Sequence, residues 1–153
     1  NNITTLDNLP PNLKELFCIR NQITQLNNLP NSIEKLECRE NLIRHLDNLP
    51  YCLKKLCCNH NNITTLDNLP PHIEELFCYN NQITHLNNLP HNIKIVECQN
   101  NKITQFNYLP ESLIRLYCVN NPLIYNLIYN FDLNIDNIRN YNRNYNRNNT
   151  ASS

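Results

Sequence analysis

Apolar positions return along this chain every twenty residues. From Leu13 one unit reads Leu13-x-x-Leu16-x-Cys18-x-x-Asn21-x-Ile23-x-x-Leu26-x-x-Leu29-Pro30, and Leu-Pro recurs from Leu9-Pro10 to Leu109-Pro110. Cysteine stands at Cys18, Cys38, Cys58, Cys78, Cys98 and Cys118, and asparagine at Asn21, Asn41, Asn61, Asn81, Asn101 and Asn121. Residues 13–18 alternate apolar and variable, the period of a strand with one buried face. A unit this short cannot bury that face alone, so successive units must stack around one shared core. Stacking in register predicts a parallel sheet with strands about 4.8 Å apart. It turns Leu13, Leu16, Cys18, Ile23, Leu26, Leu29 and their equivalents inward. The asparagine after each strand is expected to bond neighbouring loop backbone as a ladder. Proline fixes φ and keeps the preceding leucine out of a helix. The far side of each turn should therefore be extended or polyproline-like.

This unit resembles the leucine-rich repeat, L-x-x-L-x-L-x-x-N/C-x-L, at its shortest period. The run Leu-Pro-x-x-Leu-x-x-Leu-x-Cys-x-x-Asn-x-Ile is similar to the short repeats of secreted bacterial effectors, which recognise host proteins. It is similar also to the Asn- and Ile-rich repeat proteins of mimivirus-like giant viruses. Composition favours the second resemblance: glycine is absent, Ala151 is the sole alanine, and Asn, Ile and Tyr abound. The bacterial repeats usually carry Val or Leu where this chain carries Cys. The resemblance implies a solenoid with a concave parallel sheet, acting by binding proteins in host cytoplasm or in a virion.

The pattern divides the chain into a solenoid at 1–122, a cap at 123–139 and a low-complexity tail at 140–153. The solenoid opens on a partial repeat and continues through six strand-bearing ones. Residues 1–10 recur unchanged at 61–70, which marks a duplicated three-repeat block. After Asn121 the repeat stops, and Ile124, Leu127, Ile128, Phe131, Ile135 and Ile138 fit a helical stripe suited to covering the last rung. The Asn/Tyr/Arg tail carries few arginines and reads as disordered, so nucleic acid is not an expected partner.

Formal net charge is zero, which excludes bulk electrostatic binding of nucleic acid. No apolar run approaches the ~18 residues of a membrane span. Without glycine a phosphate-binding Gly-rich loop is impossible, and the five histidines are scattered without an orienting partner. No enzyme, cofactor or metal site is expected. The six repeat cysteines take inward positions where Leu or Val would serve, so they are expected to be reduced and buried. Cys57, by its place in the repeat, should project onto the concave surface with His60 and react first with an alkylating reagent. Cys52 lies in the preceding loop, and a Cys52/Cys57/His60 cluster falls short of the four converging ligands that zinc requires.

Four variable columns face outward from the expected sheet. The first two, beginning at Lys14 and Glu15, carry mixed charges that should pair between strands. The other two hold Phe17, Glu37, Phe77, Glu97 and Tyr117, and Ile19, Arg39, Tyr79 and Val119. Aromatic and arginine side chains are favoured anchors in interfaces. Together with Ile95 and Ile114 these residues form the candidate surface for a protein partner, host or viral. Alternative readings are a virion-associated structural protein and the substrate-recognition part of a longer ubiquitin-ligase-like effector or adaptor. The first residues enter at a turn, leaving the strand at 13–18 as an edge. That arrangement predicts either further repeats ahead of Asn1 or self-association there.

Overall fold

The structure, a computed structural model, describes residues 2–106 and 108–122. The expected cap at 123–139 and tail at 140–153 lie outside the described residues. Six three-residue strands follow one another: β1 (Glu15–Phe17), β2 (Lys35–Glu37), β3 (Lys55–Cys57), β4 (Glu75–Phe77), β5 (Ile95–Glu97) and β6 (Arg115–Tyr117). They form one parallel sheet in sequence order. Its register joins each residue to its counterpart one repeat later, as Leu16 to Leu36 and Leu36 to Leu56.

The strands are shorter than residues 13–18 because a turn stands on either side. Ahead of each, the N–H of Leu13 or its equivalent bonds the carbonyl of Pro10 or its equivalent, at 3.1 to 3.3 Å. Behind each, Arg20, Glu40, His60, Asn80, Asn100 and Asn120 take φ values of 53° to 57°. Asn8, Asn28, Asn48 and Asn88 take the same left-handed conformation before Leu-Pro. Glycine would adopt it freely, and asparagine is the next most tolerant residue. Arg20 and Glu40 have no such tolerance, and each costs about 1 kcal/mol, while His60 is intermediate. Their N–H groups are fixed by the next rung, to Arg39 O, Asn59 O and Tyr79 O respectively at 3.1 Å.

The core is a row of like layers. Ile33, Leu36, Cys38 and Ile43 are wholly buried, as are Leu53, Leu56, Cys58 and Ile63 in the next rung. Burying one such Leu or Ile contributes about 1.5–3 kcal/mol. Leu29, Leu49 and Leu69 sit at the rim, partly buried, whereas Leu89 and Leu109 are buried. In the first rung Leu6, Leu9 and Leu13 are only partly covered and Ile3 is exposed. The convex side is extended: residues 22–27, 42–47, 62–67 and 82–87 contain no helix and join rung to rung by one or two backbone bonds, as Leu42 N–H to Ile23 O at 2.9 Å.

Between the sheet and the convex side the asparagines close each turn. The Oδ1 of Asn61 accepts the N–H of Ile43 at 3.0 Å, while its Nδ2 donates to Cys38 O at 3.0 Å and to Cys58 O at 3.1 Å. Asn41, Asn81, Asn101 and Asn121 repeat this arrangement, each tying its own rung to the one before. Asn21 accepts from Ile3 N–H and donates to Cys18 O and Ile19 O, without a preceding cysteine carbonyl.

Asn61→Ala leaves the Ile43 N–H buried without a partner and takes from the carbonyls of Cys38 and Cys58 one of the two asparagine donors each has. The expected loss is about 2–4 kcal/mol in equilibrium urea unfolding. A loss below about 0.5 kcal/mol, the size of an ordinary surface substitution, would show that the ladder is incidental to stability.

Candidate functional site

The concave face is built from residues that flank each buried strand leucine. In the column that starts at Lys14, Glu34 accepts from Lys14 at 2.8 Å and from Lys54 at 2.7 Å, and Glu74 pairs with Lys94. The Lys14 and Lys54 bonds hold the Glu34 carboxyl down to about 2. These groups are exposed, and such pairs contribute little individually. Their effect is to remove free charge from this edge of the sheet.

The next column departs from simple alternation, because Lys35 and Lys55 are register neighbours. Each cation turns elsewhere. Lys35 bonds Glu37 at 3.1 Å and stands 4.6 Å over the Phe17 ring, while Lys55 bonds Glu75 at 2.7 Å and stands 4.9 Å over Phe77. A cation over a ring face contributes about 0.5–1 kcal/mol at such sites. Phe17 and Phe77 are therefore positioned by lysines one rung away in the adjoining column.

Phe17, Glu37, Cys57, Phe77, Glu97 and Tyr117 are successive register partners and form one line across the sheet. The Cys57 side chain does not reach the surface as expected. It is 8% exposed, because Glu37 and Phe77 are longer and rise on either side of it. Burial and then the Glu37 carboxylate raise its thiol to about 11, against opposing effects of Lys55, Arg39 and Lys35. His60 is exposed at the turn, edge-on to Tyr79 at 5.5 Å and 3.1 Å from Asn80 Nδ2. Cys52 is the exposed cysteine. All eight cysteines are unpaired, and burial raises the repeat thiols. Among the described residues no three His, Cys, Asp or Glu side chains gather at one point.

Asn59 follows Cys57 on the same rung and is 3% exposed. Two short side chains thus lie between the longer pairs Glu37 with Arg39 and Phe77 with Tyr79. The result is a hollow of about 290 Å³, with Cys57 and Asn59 as floor and Lys55 and Glu97 at its margins. Five predicted surface residues meet here: Glu37, Arg39, Phe77, Tyr79 and Glu97. A second group lies toward the last rung, where Ile114 is 73% exposed, Tyr117 46% and Val119 45%, beside half-buried Ile95. Glu97 pairs in register with both Phe77 and Tyr117 and so joins the two groups. Phe17 is 53% exposed, and with half-buried Ile19 it stands apart on the first rung. The sequence reading missed Asn59, Lys35 and Lys55. The available signal for Asn59 was a rung whose two outward residues are both short.

No helix among the described residues is long and apolar enough to cross a membrane. No protein-family profile matches the chain, and no curated protein matches it by sequence. Among solved structures it is similar to YopM from Yersinia enterocolitica WA-314, with 30% identity over 79% of this chain and a TM-score of 0.65. It is similar also to the leucine-rich-repeat domain of a Shigella effector, with 26% identity over 86% of this chain and a TM-score of 0.69. The chain spans 32% and 64% of the length of those two proteins. These likenesses and the twenty-residue register agree: the fold is a leucine-rich-repeat solenoid.

Thiol reactivity checks the buried floor. Under a limited dose of iodoacetamide on the native protein, peptide mapping should find Cys52 labelled first and Cys57 spared, because access governs the attack. Cys57 labelled as fast as Cys52 would show that the floor of the hollow is open.

Proposed function

We propose that this solenoid is a non-enzymatic binding module whose concave sheet engages a partner protein. The observation that carries the reading is the outward apolar group Ile114, Tyr117 and Val119, continuous through Ile95 and Glu97 with Phe77 and Tyr79. The sheet is held by backbone bonds from rung to rung and by its inner face, so it does not depend on these outward side chains. Apolar surface of that kind, rimmed by charge, is typical of protein interfaces. Arg39 and Glu37 extend the surface toward the first rungs, and Phe17 with Ile19 form its far end. Similarity to the Shigella effector domain supports a role in recognition. The glycine-free, Asn- and Ile-rich composition supports a giant-virus origin, and such an origin would put its action in host cytoplasm.

The test is a triple replacement, Phe77→Ala, Tyr79→Ala and Tyr117→Ala. Phe77 and Tyr79 are half-buried on the outer face and Tyr117 is exposed, so the core is untouched. Loss of the Lys55–Phe77 and His60–Tyr79 contacts should cost about 0.5–1.5 kcal/mol each. Circular dichroism should keep its native form. Affinity capture from host cells should lose the partners that the unaltered protein retains; capture unchanged by the three replacements contradicts the reading.

A further inference from the structure

The hollow on the third rung contains a polar group with nothing to bond. Asn59 is 3% exposed, yet its carboxamide has no hydrogen bond to any described residue, and only its backbone carbonyl is engaged. Among the described residues Gln99 Oε1 is the sealed side-chain acceptor without a partner; the Asn59 amide atoms are not sealed and open into the hollow. Every asparagine of the ladder, two positions further on in each rung, spends both its amide nitrogen and its oxygen. Both amide atoms are thus offered to the hollow and to nothing within the chain's described residues, so Asn59 marks a place where an external polar group can bond.

Its chemistry defines that group. A carboxamide offers donors and an acceptor on one plane. The complement is a second amide, and in a partner protein the commonest amide is the peptide group itself. The charges beside the hollow add direction. Lys35 and Lys55 are already paired with Glu37 and Glu75. Arg39 on the second rung and Glu97 on the fifth have no ion pair among the described residues. Three strand spacings and a two-residue offset along the strand separate them by about 16 Å, which the reach of the Arg39 side chain brings to about four residues of extended chain. In an extended chain, residues i and i+4 face the same side.

We infer that the hollow binds an extended peptide segment of a partner protein, clamped through one peptide group by Asn59, with an acidic residue at Arg39 and a basic residue four positions away at Glu97. The inference rests on the concave-face reading and narrows it to one ligand class and one spacing. The hollow of about 290 Å³ accepts a single intervening side chain against Phe77 and Tyr79. The segment runs along the solenoid axis and crosses the strands, so it adds no strand to the sheet.

The probe is the capped peptide acetyl-Ala-Asp-Ala-Ala-Ala-Lys-amide, titrated into the ¹⁵N-labelled full chain. The expected result is a saturable shift of the Asn59 side-chain NH₂ resonances. Asn59→Leu, which keeps the shape and removes the amide, should weaken binding about tenfold, the loss of one amide pair. Arg39→Gln and Glu97→Gln should each weaken it, as should a peptide with Asp and Lys three positions apart. If Asn59→Leu does not fold, Asn59→Ser removes the amide with a smaller change. Equal affinity in the Asn59 variants, or a peptide that leaves the Asn59 resonances unmoved, overturns the inference. The two readings separate cleanly. Partner capture lost in the triple alanine variant but peptide binding unaffected by Asn59→Leu keeps the concave face and sinks the clamp. Capture unchanged in the triple variant contradicts the wider reading whatever the peptide does.

Discussion

The asparagine after each strand is the interaction on which this fold depends. A twenty-residue turn must reverse the chain twice, and each reversal leaves peptide groups pointing inward, away from water. Asn61 answers for three of them at once: the N–H of Ile43 and the carbonyls of Cys38 and Cys58. A shorter side chain could not reach two rungs, and a charged one would lack either donors or acceptors. Because one amide bridges a rung to its predecessor, the ladder fixes spacing as well as satisfying polarity. The small cysteine beside it keeps the layer thin, and its thiol is held neutral by burial at every rung.

That arrangement leaves the outer face of the sheet free of structural duty. Backbone bonds run from strand to strand, apolar side chains fill the inner side, and four outward columns remain. Two of them are occupied by ion pairs and lysine–ring contacts that neutralise and order the surface. The other two hold the exposed aromatics, Arg39 and Glu97, which have no ion pair among the described residues, and the hollow over Cys57 and Asn59. Recognition is thus built from side chains on a rigid frame, which lowers the ordering cost of binding.

Most of the frame was legible in the sequence, because a repeat shows its buried positions by recurrence. The Leu16, Cys18, Ile23 and Asn21 columns each appear six times, and the parallel register follows from the constant spacing. What recurrence could not show was relative height. Cys57 occupies a surface column, yet it is buried because its two register neighbours are Glu37 and Phe77. Asn59 looked like one more variable polar residue, and its missing hydrogen bond exists only in three dimensions. Charge alternation was read along columns, whereas Lys35 and Lys55 find their partners partly across them. The shortness of the strands came from the left-handed turn residues, which a chain without glycine signals weakly.

The ladder itself is tested most directly by amide hydrogen exchange. The N–H groups of Ile43, Ile63, Ile83 and Ile103 lie outside the strands, and each is held by one asparagine side chain. The account predicts protection for them equal to that of Cys58 and Cys78, whose N–H groups bond carbonyls of the next rung. Ile3, on the exposed first turn, should exchange quickly despite its bond to Asn21. If the four isoleucine amides exchange as fast as Ile3 while Cys58 and Cys78 stay protected, the asparagines do not close the turns and the account is wrong.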